Sequence, residues 1–254
     1  MRKRILVAVV CIPLIFIVFF ALPPIFLPIM ISVLSMIALH EVLWSTGFVK
    51  NSKISALCGI FIYFVLIFAV AISSHYTVTL EKMGGSFFFA MLIPYFLSSF
   101  VRLNAMQSGD VNIGRYLILL PLVAAFTSDA FALFAGMAFG KHKLAPELSP
   151  KKTVEGAVGG FAGAIICCII YGAVIRYFFG MQVNYAYLAV YGALGSVVAQ
   201  LGDLSFSYIK RQYGLKDFGN IFPGHGGVLD RFDSVIFCAP LIEILIHWLP
   251  AVSI

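Results

Sequence analysis

Long apolar runs separated by short polar breaks dominate the hydrophobic pattern of this chain. The clearest runs occupy residues 5–21, 24–40, 54–73, 86–101, 157–178, 186–202 and 234–250. Most of them approach the roughly 20 apolar residues that a helix needs to cross a bilayer. The pattern therefore predicts an all-α integral membrane protein, a polytopic bundle of about eight to nine transmembrane helices.

The segment 116–140 is ambiguous, because it is apolar except at Thr127, Ser128 and Asp129. It fits one span, two short spans or a re-entrant hairpin. We place the N-terminus in the cytoplasm and let the spans alternate across the membrane. The cytoplasmic side then carries 15 Lys and Arg residues and the other side carries 2. This distribution requires that the segment 116–140 begins and ends on the same side of the membrane. Since cytoplasmic loops carry the excess of Lys and Arg, we predict a tight hairpin with Asp129 at its turn.

Composition supports the membrane class. The chain has 254 residues, of which 61% are hydrophobic and only 11% are charged, whereas soluble domains carry roughly 25% charged residues. This excludes a soluble globular enzyme and a disordered chain. The five cysteines lie in apolar runs without metal-ligand spacing, and the first run has no clear cleavage site, so we expect a retained span rather than a signal peptide.

The net charge of +6 comes with no nucleic-acid-binding pattern, so we attribute it to membrane orientation and to anionic lipid or nucleotide phosphates. Half of the charge is concentrated in two segments, 141–155 and 203–233, which hold 14 of the 28 charged residues. Both fall on the same predicted face, as a polar reaction site on a membrane scaffold would. Four other polar residues lie near the ends of predicted spans, where we expect them to face the membrane–water interfaces: His40, Glu41, Glu243 and His247.

The second charged segment has helical spacing at both ends. If the helix of 186–202 continues, Asp203, Ser207 and Lys210 share one face. Asp230 and Asp233 are spaced i, i+3 at the start of the last helix, where an aspartate also serves as a cap.

A glycine-rich loop, P-G-H-G-G at 223–227, precedes that last helix. Such a loop at a helix N-terminus is either a phosphate cradle or a simple turn. Neighbouring cations and carboxylates favour the cradle, and the combination suits phosphoryl or nucleotidyl transfer with Mg²⁺. A Ser-His-Asp hydrolase is disfavoured, because His225 has no G-x-S-x-G partner in this chain.

Residues 207–233 read S-x-I-K-R-x4-K-D-x-G-x2-F-P-x-H-G-G-V-x-D-R-F-D, which resembles the signature of the phosphatidate cytidylyltransferase (CDP-diacylglycerol synthase) family. Segments 139–146, 149–156 and 200–203 resemble the same family. The resemblance implies transfer of CMP from CTP to phosphatidic acid, giving CDP-diacylglycerol and pyrophosphate. It also implies Mg²⁺ held by Asp203 and Asp230, a second cation such as K⁺, a homodimer, and an inner-membrane site facing the cytoplasm.

We therefore divide the chain into N-terminal transmembrane helices at 1–110 and a catalytic region at 111–254. The predicted catalytic residues are Asp203, Ser207, Lys210, Arg211, Lys216, Asp217, His225, Asp230, Arg231 and Asp233. The predicted phosphate-binding residues are Lys141, Lys143, Lys151, Lys152, Thr153, Gly224, Gly226 and Gly227.

Several of these roles have alternatives. His225 donates to a phosphate or orders the loop, and Asp217 is a metal ligand or an ion-pair partner of a lysine. Lys151 and Lys152 bind phosphate or mark the cytoplasmic border. Asp129 completes a polar cavity or caps the predicted turn, since carboxylates at membrane depth are costly and usually functional.

Two other functions are compatible with parts of the pattern. A CTP-dependent lipid kinase would share the metal, the glycine loop and the basic residues, but would release CDP instead of pyrophosphate. A transporter is less compatible, because transporters usually have two related halves with interrupted helices, and no second half is visible here.

Overall fold

The computed structural model describes residues 26–45, 80–107, 113–219 and 226–253, together with 13, 17, 22 and 23. The predicted spans 5–21 and 54–73 lie almost wholly outside these residues. In the described residues, seven helices follow one another as α1 Phe26–Ser45, α2 Leu80–Asn104, α3 Gly114–Leu117, α4 Leu120–Phe139, α5 Val154–Phe179, α6 Tyr185–Gln212 and α7 Leu229–Trp248. The short strands are β1 Lys143–Ala145, β2 Ser149–Thr153, β3 Gln182–Val183 and β4 Val252–Ser253.

Four helical segments of the described chain are long and apolar enough to cross a membrane. They are Phe87–Asn104, Gly114–Phe139, Val154–Phe179 and Tyr185–Gln212, and Ile29–Val42 is a shorter apolar helix. The protein is thus a helical membrane protein, as predicted. The predicted total of eight to nine spans is not established by the described residues.

The predicted hairpin at 116–140 is wrong. Gly114–Phe139 is one apolar segment of 26 residues, and α4 continues through Asp129 without a turn. Ile118 and Leu119, which join α3 to α4, keep right-handed helical backbone angles. Arg115 and Lys141 therefore lie at opposite ends of a single span, and the predicted 15-to-2 charge distribution no longer holds.

Side-chain hydrogen bonds explain why the polar residues at 127–129 do not break the helix. Thr127 donates its hydroxyl to the carbonyl of Val123 one turn earlier, at 2.6 Å. Ser128 pairs with Ser196 on α6, and the carboxylate of Asp129 accepts from another serine on α7. A polar side chain satisfied in this way lies in an apolar helix without a turn.

The chain forms two compact units. The first comprises residues 1–98 and 210–232, and the second comprises 99–209 and 233–254. The predicted functional boundary near residue 110 stays a prediction. The second unit contains most of the long apolar helices, and the first contains α1 and the start of α7.

Glycines on α5 bring it close to α4 in the second unit. A Cβ at Gly159 would lie 2.2 Å from the Cβ of Ala135, and one at Gly160 would lie 2.6 Å from the carbonyl oxygen of Ser128. Only a residue without a side chain allows this approach. Small residues at helix interfaces are the usual route to tight packing in lipid.

One end of the second unit is formed by the link between α5 and α6. Gly180 ends α5 in the left-handed conformation, with φ of 67°, and β3 pairs antiparallel with β4 near the C-terminus. The rings of Tyr116 and Phe179 lie 4.6 Å apart, so the start of the Gly114–Phe139 segment lies at this end.

The opposite end of the same unit carries the β1–β2 hairpin, which joins α4 to α5. Its strands pair antiparallel, and its last residue, Thr153, is the N-cap of α5. The hydroxyl of Thr153 accepts the N–H of Gly156 at 3.1 Å. This arrangement places the lysine-rich segment beside the C-terminal half of α6.

Candidate active site

Asp230 has a side chain that is held by three hydrogen-bond donors. It lies in the first turn of α7, and its side chain is only 2% exposed. Its Oδ1 lies 2.9 Å from Lys210 Nζ. Its Oδ2 accepts the main-chain N–H groups of Phe218 at 2.8 Å and of Gly227 at 2.9 Å. A buried carboxylate needs such compensation, because desolvation of an unpaired charge is costly.

Lys210 reaches this carboxylate from the last turn of α6, and its side chain is 9% exposed. Its ammonium also lies 5.4 Å from the ring centre of Phe218, in cation–π range. The helix does continue beyond residue 202, because α6 extends to Gln212, so Asp203, Ser207 and Lys210 lie on one helix at i, i+4 and i+7.

The described end of the glycine loop, at Gly226, lies against two carboxylates. Gly226 has φ of 82°, and a Cβ there would lie 2.8 Å from Asp230 Oδ2 and 3.2 Å from Asp217 Oδ1. The carboxyl group of Asp217 therefore lies beside Gly226, and Asp217 is an exposed residue. Glycine is required at 226 both for the left-handed backbone and for the space.

Glu41, which was expected to face an interface, lies instead beside the start of α7. It is buried, at 4% exposure. Its Oε1 accepts the N–H of Val228 at 2.7 Å, and its Oε2 accepts the N–H of Leu229 at 2.8 Å. A carboxylate inside an apolar helix is costly unless it has partners, and that cost was the sequence signal for a role.

These contacts bear on the predicted phosphate cradle. The N–H groups of Gly227, Val228 and Leu229, which the sequence offered to a phosphate, donate instead to Asp230 and Glu41. Gly224 and His225 lie outside the described residues, so their predicted roles stay predictions. At its described C-terminal end, the loop is a carboxylate-binding turn.

Asp203 lies in the second unit with its own partners. Its Oδ2 is 2.6 Å from Lys152 Nζ, and its Oδ1 accepts the hydroxyl of Ser207 at 3.3 Å. The side chains of Lys152 and Asp203 are 26% and 25% exposed. This carboxylate is thus reachable from water, whereas that of Asp230 is not.

The other predicted phosphate-binding residues of the hairpin differ in accessibility. Lys141, Lys143 and Lys151 are exposed. Thr153 is buried, and its hydroxyl is used as the cap of α5. Beside them, Glu155 accepts the N–H of Lys141 and contacts the ring of His142, which fixes the start of the hairpin.

The remaining cations of the signature point away from the protein interior. Arg211, Lys216 and Arg231 are exposed, and Arg211 donates to the carbonyl of Leu215 at 3.0 Å. Asp233 is buried inside α7, and its Oδ1 accepts the N–H of Ser234. It lies one turn beyond the start of α7, too far to cap it.

Polar residues also cluster at the middle of α4 and α6. The amide of Gln200 donates to Ser196 at 3.0 Å and to the carbonyl of Ala157 at 3.1 Å. Asp129 Oδ2 accepts the hydroxyl of Ser234 at 2.9 Å. Asp129 is therefore a mid-helix acceptor rather than the predicted cap of a turn. Glu243, expected at an interface, is ion-paired with Arg102.

Among the residues that the structure describes, no group of three or more His, Cys, Asp or Glu side chains is arranged to hold a metal ion. The carboxylates of Asp203 and Asp230 each lie beside one lysine.

Comparison with known proteins gives a consistent result. A sequence model described as the cytidylyltransferase family matches residues 42–249. A phosphatidate cytidylyltransferase of Bacillus subtilis (strain 168) is 36% identical over 188 residues, which cover 72% of this chain and 67% of the relative.

Two further relatives carry the same name. One from Rickettsia bellii (strain RML369-C) is 37% identical over 71% of this chain and 78% of its own length. One from Staphylococcus haemolyticus (strain JCSC1435) is 40% identical over 67% of this chain, but the match spans only 64% of that relative, just under two thirds. Lys210 and Asp230 lie inside the segment that the family model matches.

Proposed function

Because the chain belongs to the cytidylyltransferase family, we propose that it is a phosphatidate cytidylyltransferase, which transfers CMP from CTP to phosphatidic acid. The products are CDP-diacylglycerol and pyrophosphate. The observation that carries the proposal is the buried ion pair of Lys210 and Asp230. Both residues belong to the signature, and together they bring the end of α6, the glycine loop and the start of α7 to one point.

The reaction needs no protein nucleophile. A phosphate oxygen of phosphatidic acid attacks the α-phosphorus of CTP, a new P–O bond forms, and the bond from the α-phosphorus to the bridging oxygen breaks. Pyrophosphate leaves with that oxygen. The work left to the protein is to position two anions and to stabilise the charge that develops on the leaving group.

The cations divide into two groups by burial. Arg211, Lys216 and Arg231 are exposed, so we assign them to substrate phosphates. Lys210 is buried against Asp230, so we assign it to orienting that carboxylate. Lys152, which is partly exposed on Asp203, is suited to exchange between the carboxylate and a phosphate.

Mg²⁺ is part of the proposal, with a second cation such as K⁺. Asp203 fits the metal, because its carboxylate is accessible and already attracts the positive charge of Lys152 and the hydroxyl of Ser207. Asp230 fits a metal less well in the described geometry, since its oxygens already hold three donors. When bound, Mg²⁺ would offset the repulsion between the two phosphates.

We further propose that the site faces the cytoplasm from the inner membrane. The lysine-rich β1–β2 hairpin and Asp203 lie at the same end of the second unit. An excess of Lys at one end of a helical bundle is typical of the cytoplasmic side, where CTP is available.

The test is a product assay with the protein purified in detergent. We would supply phosphatidic acid, CTP and Mg²⁺, and follow pyrophosphate release and lipid-bound cytidine together. Asp230→Asn is the test variant. Glu81→Gln is the matched control, because Glu81 is an exposed carboxylate at the start of α2.

We expect both products from the wild type and from the control, and neither from Asp230→Asn or after chelation with EDTA. Release of CDP without a cytidine-bearing lipid would contradict the proposal in favour of a CTP-dependent lipid kinase. Folded wild-type protein that forms neither product would also contradict it, in favour of a binding or transport role.

A further inference from the structure

Helix α7 begins without a cap of its own. The residue before the helix is Val228, which has no side-chain acceptor for the first N–H groups. Ser, Thr, Asp or Asn is the usual residue at this position. The first N–H groups of a buried helix need partners. The N–H of Arg231 is satisfied locally by the carbonyl of Val228, but the partners of the N–H groups of Val228 and Leu229 come from a distant part of the chain.

Glu41 on α1 supplies them. Its two carboxylate oxygens accept the N–H groups of Val228 and Leu229, at 2.7 and 2.8 Å, across 187 and 188 residues of sequence. Hydrogen bonds from N–H groups to an ionised acceptor are roughly twice as strong as neutral ones. One carboxylate thus fixes two successive peptide units just before Asp230.

The surrounding backbone is shaped to receive this carboxylate. A Cβ at Gly227 would lie 2.3 Å from Glu41 Oε1, and one at Gly219 would lie 2.7 Å from the same oxygen. The main chain therefore approaches the carboxylate at both glycines, and a side chain at either position would displace the carboxylate of Glu41. Gly227 in turn donates its N–H to Asp230, so Glu41 and Asp230 hold the same short turn.

We propose that Glu41 is a positioning residue for Asp230, and that it sets the geometry of the active site without touching substrate. The inference rests on the proposed function, because it concerns the same site. Glu41 fixes the backbone at 228 and 229, this fixes the direction of the Asp230 side chain, and Asp230 fixes the ammonium of Lys210.

Glu41→Gln is the sharpest test. The amide keeps the shape of the side chain and one oxygen acceptor, but its NH₂ group turns toward a main-chain N–H, and two donors then face each other. Glu41→Asp keeps the charge but withdraws it by one methylene, so one carboxylate no longer reaches both N–H groups. Glu81→Gln is the control for removal of one carboxylate charge.

We expect kcat of Glu41→Gln to fall about ten- to a hundredfold, because a small misplacement of a catalytic group has effects of this order. The KM for CTP should stay within about threefold, since the exposed cations that meet CTP are unchanged. Glu41→Asp should also lose activity. Hydrogen exchange should quicken at the amides of 227–230 in both variants and remain unchanged in Glu81→Gln.

Wild-type kcat in folded Glu41→Gln would overturn the proposal. So would a loss of kcat that only matches the loss of folded protein, measured by size exclusion and thermal unfolding, because a purely structural role predicts that result. If the wild type makes no CDP-diacylglycerol, the proposed function fails instead. Hydrogen exchange then decides the inference, since unchanged exchange at 227–230 in Glu41→Gln would refute it.

Discussion

Lys152 Nζ lies 2.6 Å from Asp203 Oδ2 and ties the lysine-rich hairpin to helix α6. Both side chains are about a quarter exposed. Ion pairs in such settings contribute only about 0–1 kcal/mol to stability, because water screens them and the side chains lose entropy. The pair is therefore weak enough to exchange partners when a phosphate arrives.

Lys152→Ala should lower kcat/KM for CTP on the order of a hundredfold, the usual effect of removing one donor to developing charge. The midpoint of thermal unfolding should change little, since the pair is partly exposed. Lys151→Ala is the comparison, because its exposed side chain has no described ion pair with a carboxylate. Equal losses in both variants would show that general phosphate attraction, not the pair, is responsible.

Asp230→Asn should lower stability as well as activity, because it leaves the ammonium of Lys210 buried without its counter-charge. Breaking a buried pair in this way costs about 3–5 kcal/mol. The double variant Lys210→Met/Asp230→Asn should recover much of that stability and none of the activity. Thermal unfolding in detergent and the product assay measure the two effects separately. Activity in the double variant would show that the pair of Lys210 and Asp230 is not part of the active site.

Gly160→Val should destabilise the second unit by about 1–3 kcal/mol, the usual cost of overpacking. A Cβ there meets the carbonyl oxygen of Ser128 at 2.6 Å, so α4 and α5 must separate. Gly84→Ala is the matched control, since a Cβ at that helical position meets nothing within 4 Å. It should gain up to about 1 kcal/mol from helix propensity. Similar unfolding temperatures for the two variants would contradict the close packing of α4 against α5 at Gly160.

The single span Gly114–Phe139 predicts the sidedness of single cysteines. In a background without the native cysteines, Arg115→Cys and Gly180→Cys should be labelled from one side of the membrane. Lys143→Cys should be labelled only from the other side. The reason is that the ends of α4 and α5 alternate, with Tyr116 beside Phe179. Labelling of positions 115 and 143 from the same side of the membrane would contradict the single span and support the hairpin instead.

Much of the fold can be predicted from the sequence because each membrane helix corresponds to a long run of apolar residues. The continuation of α6 through Asp203 and Lys210 was predictable from their spacing on one helical face. Asp129 was misread because a carboxylate in an apolar run was taken as a break. Its partner, Ser234, lies 105 residues away, and a linear pattern does not reveal that pairing.

The sequence predicted those residues of the candidate site whose type and spacing match the signature. The buried pair of Lys210 and Asp230 involves two residues that the signature marks. Glu41 was missed because nothing near it in sequence indicates that it would meet a helix start 187 residues later. Thr153 shows the opposite case, since a residue in a phosphate-binding pattern uses its hydroxyl as a helix cap.

The dependence of α7 on Glu41 means that the recognisable motif is not a self-sufficient piece. A fragment beginning near residue 110 would contain every letter of the signature, yet the first turn of α7 would lack its acceptor. Complementation with two separately expressed segments would then succeed only when the N-terminal segment retains that glutamate. In this chain, the region that carries no motif completes the one that does.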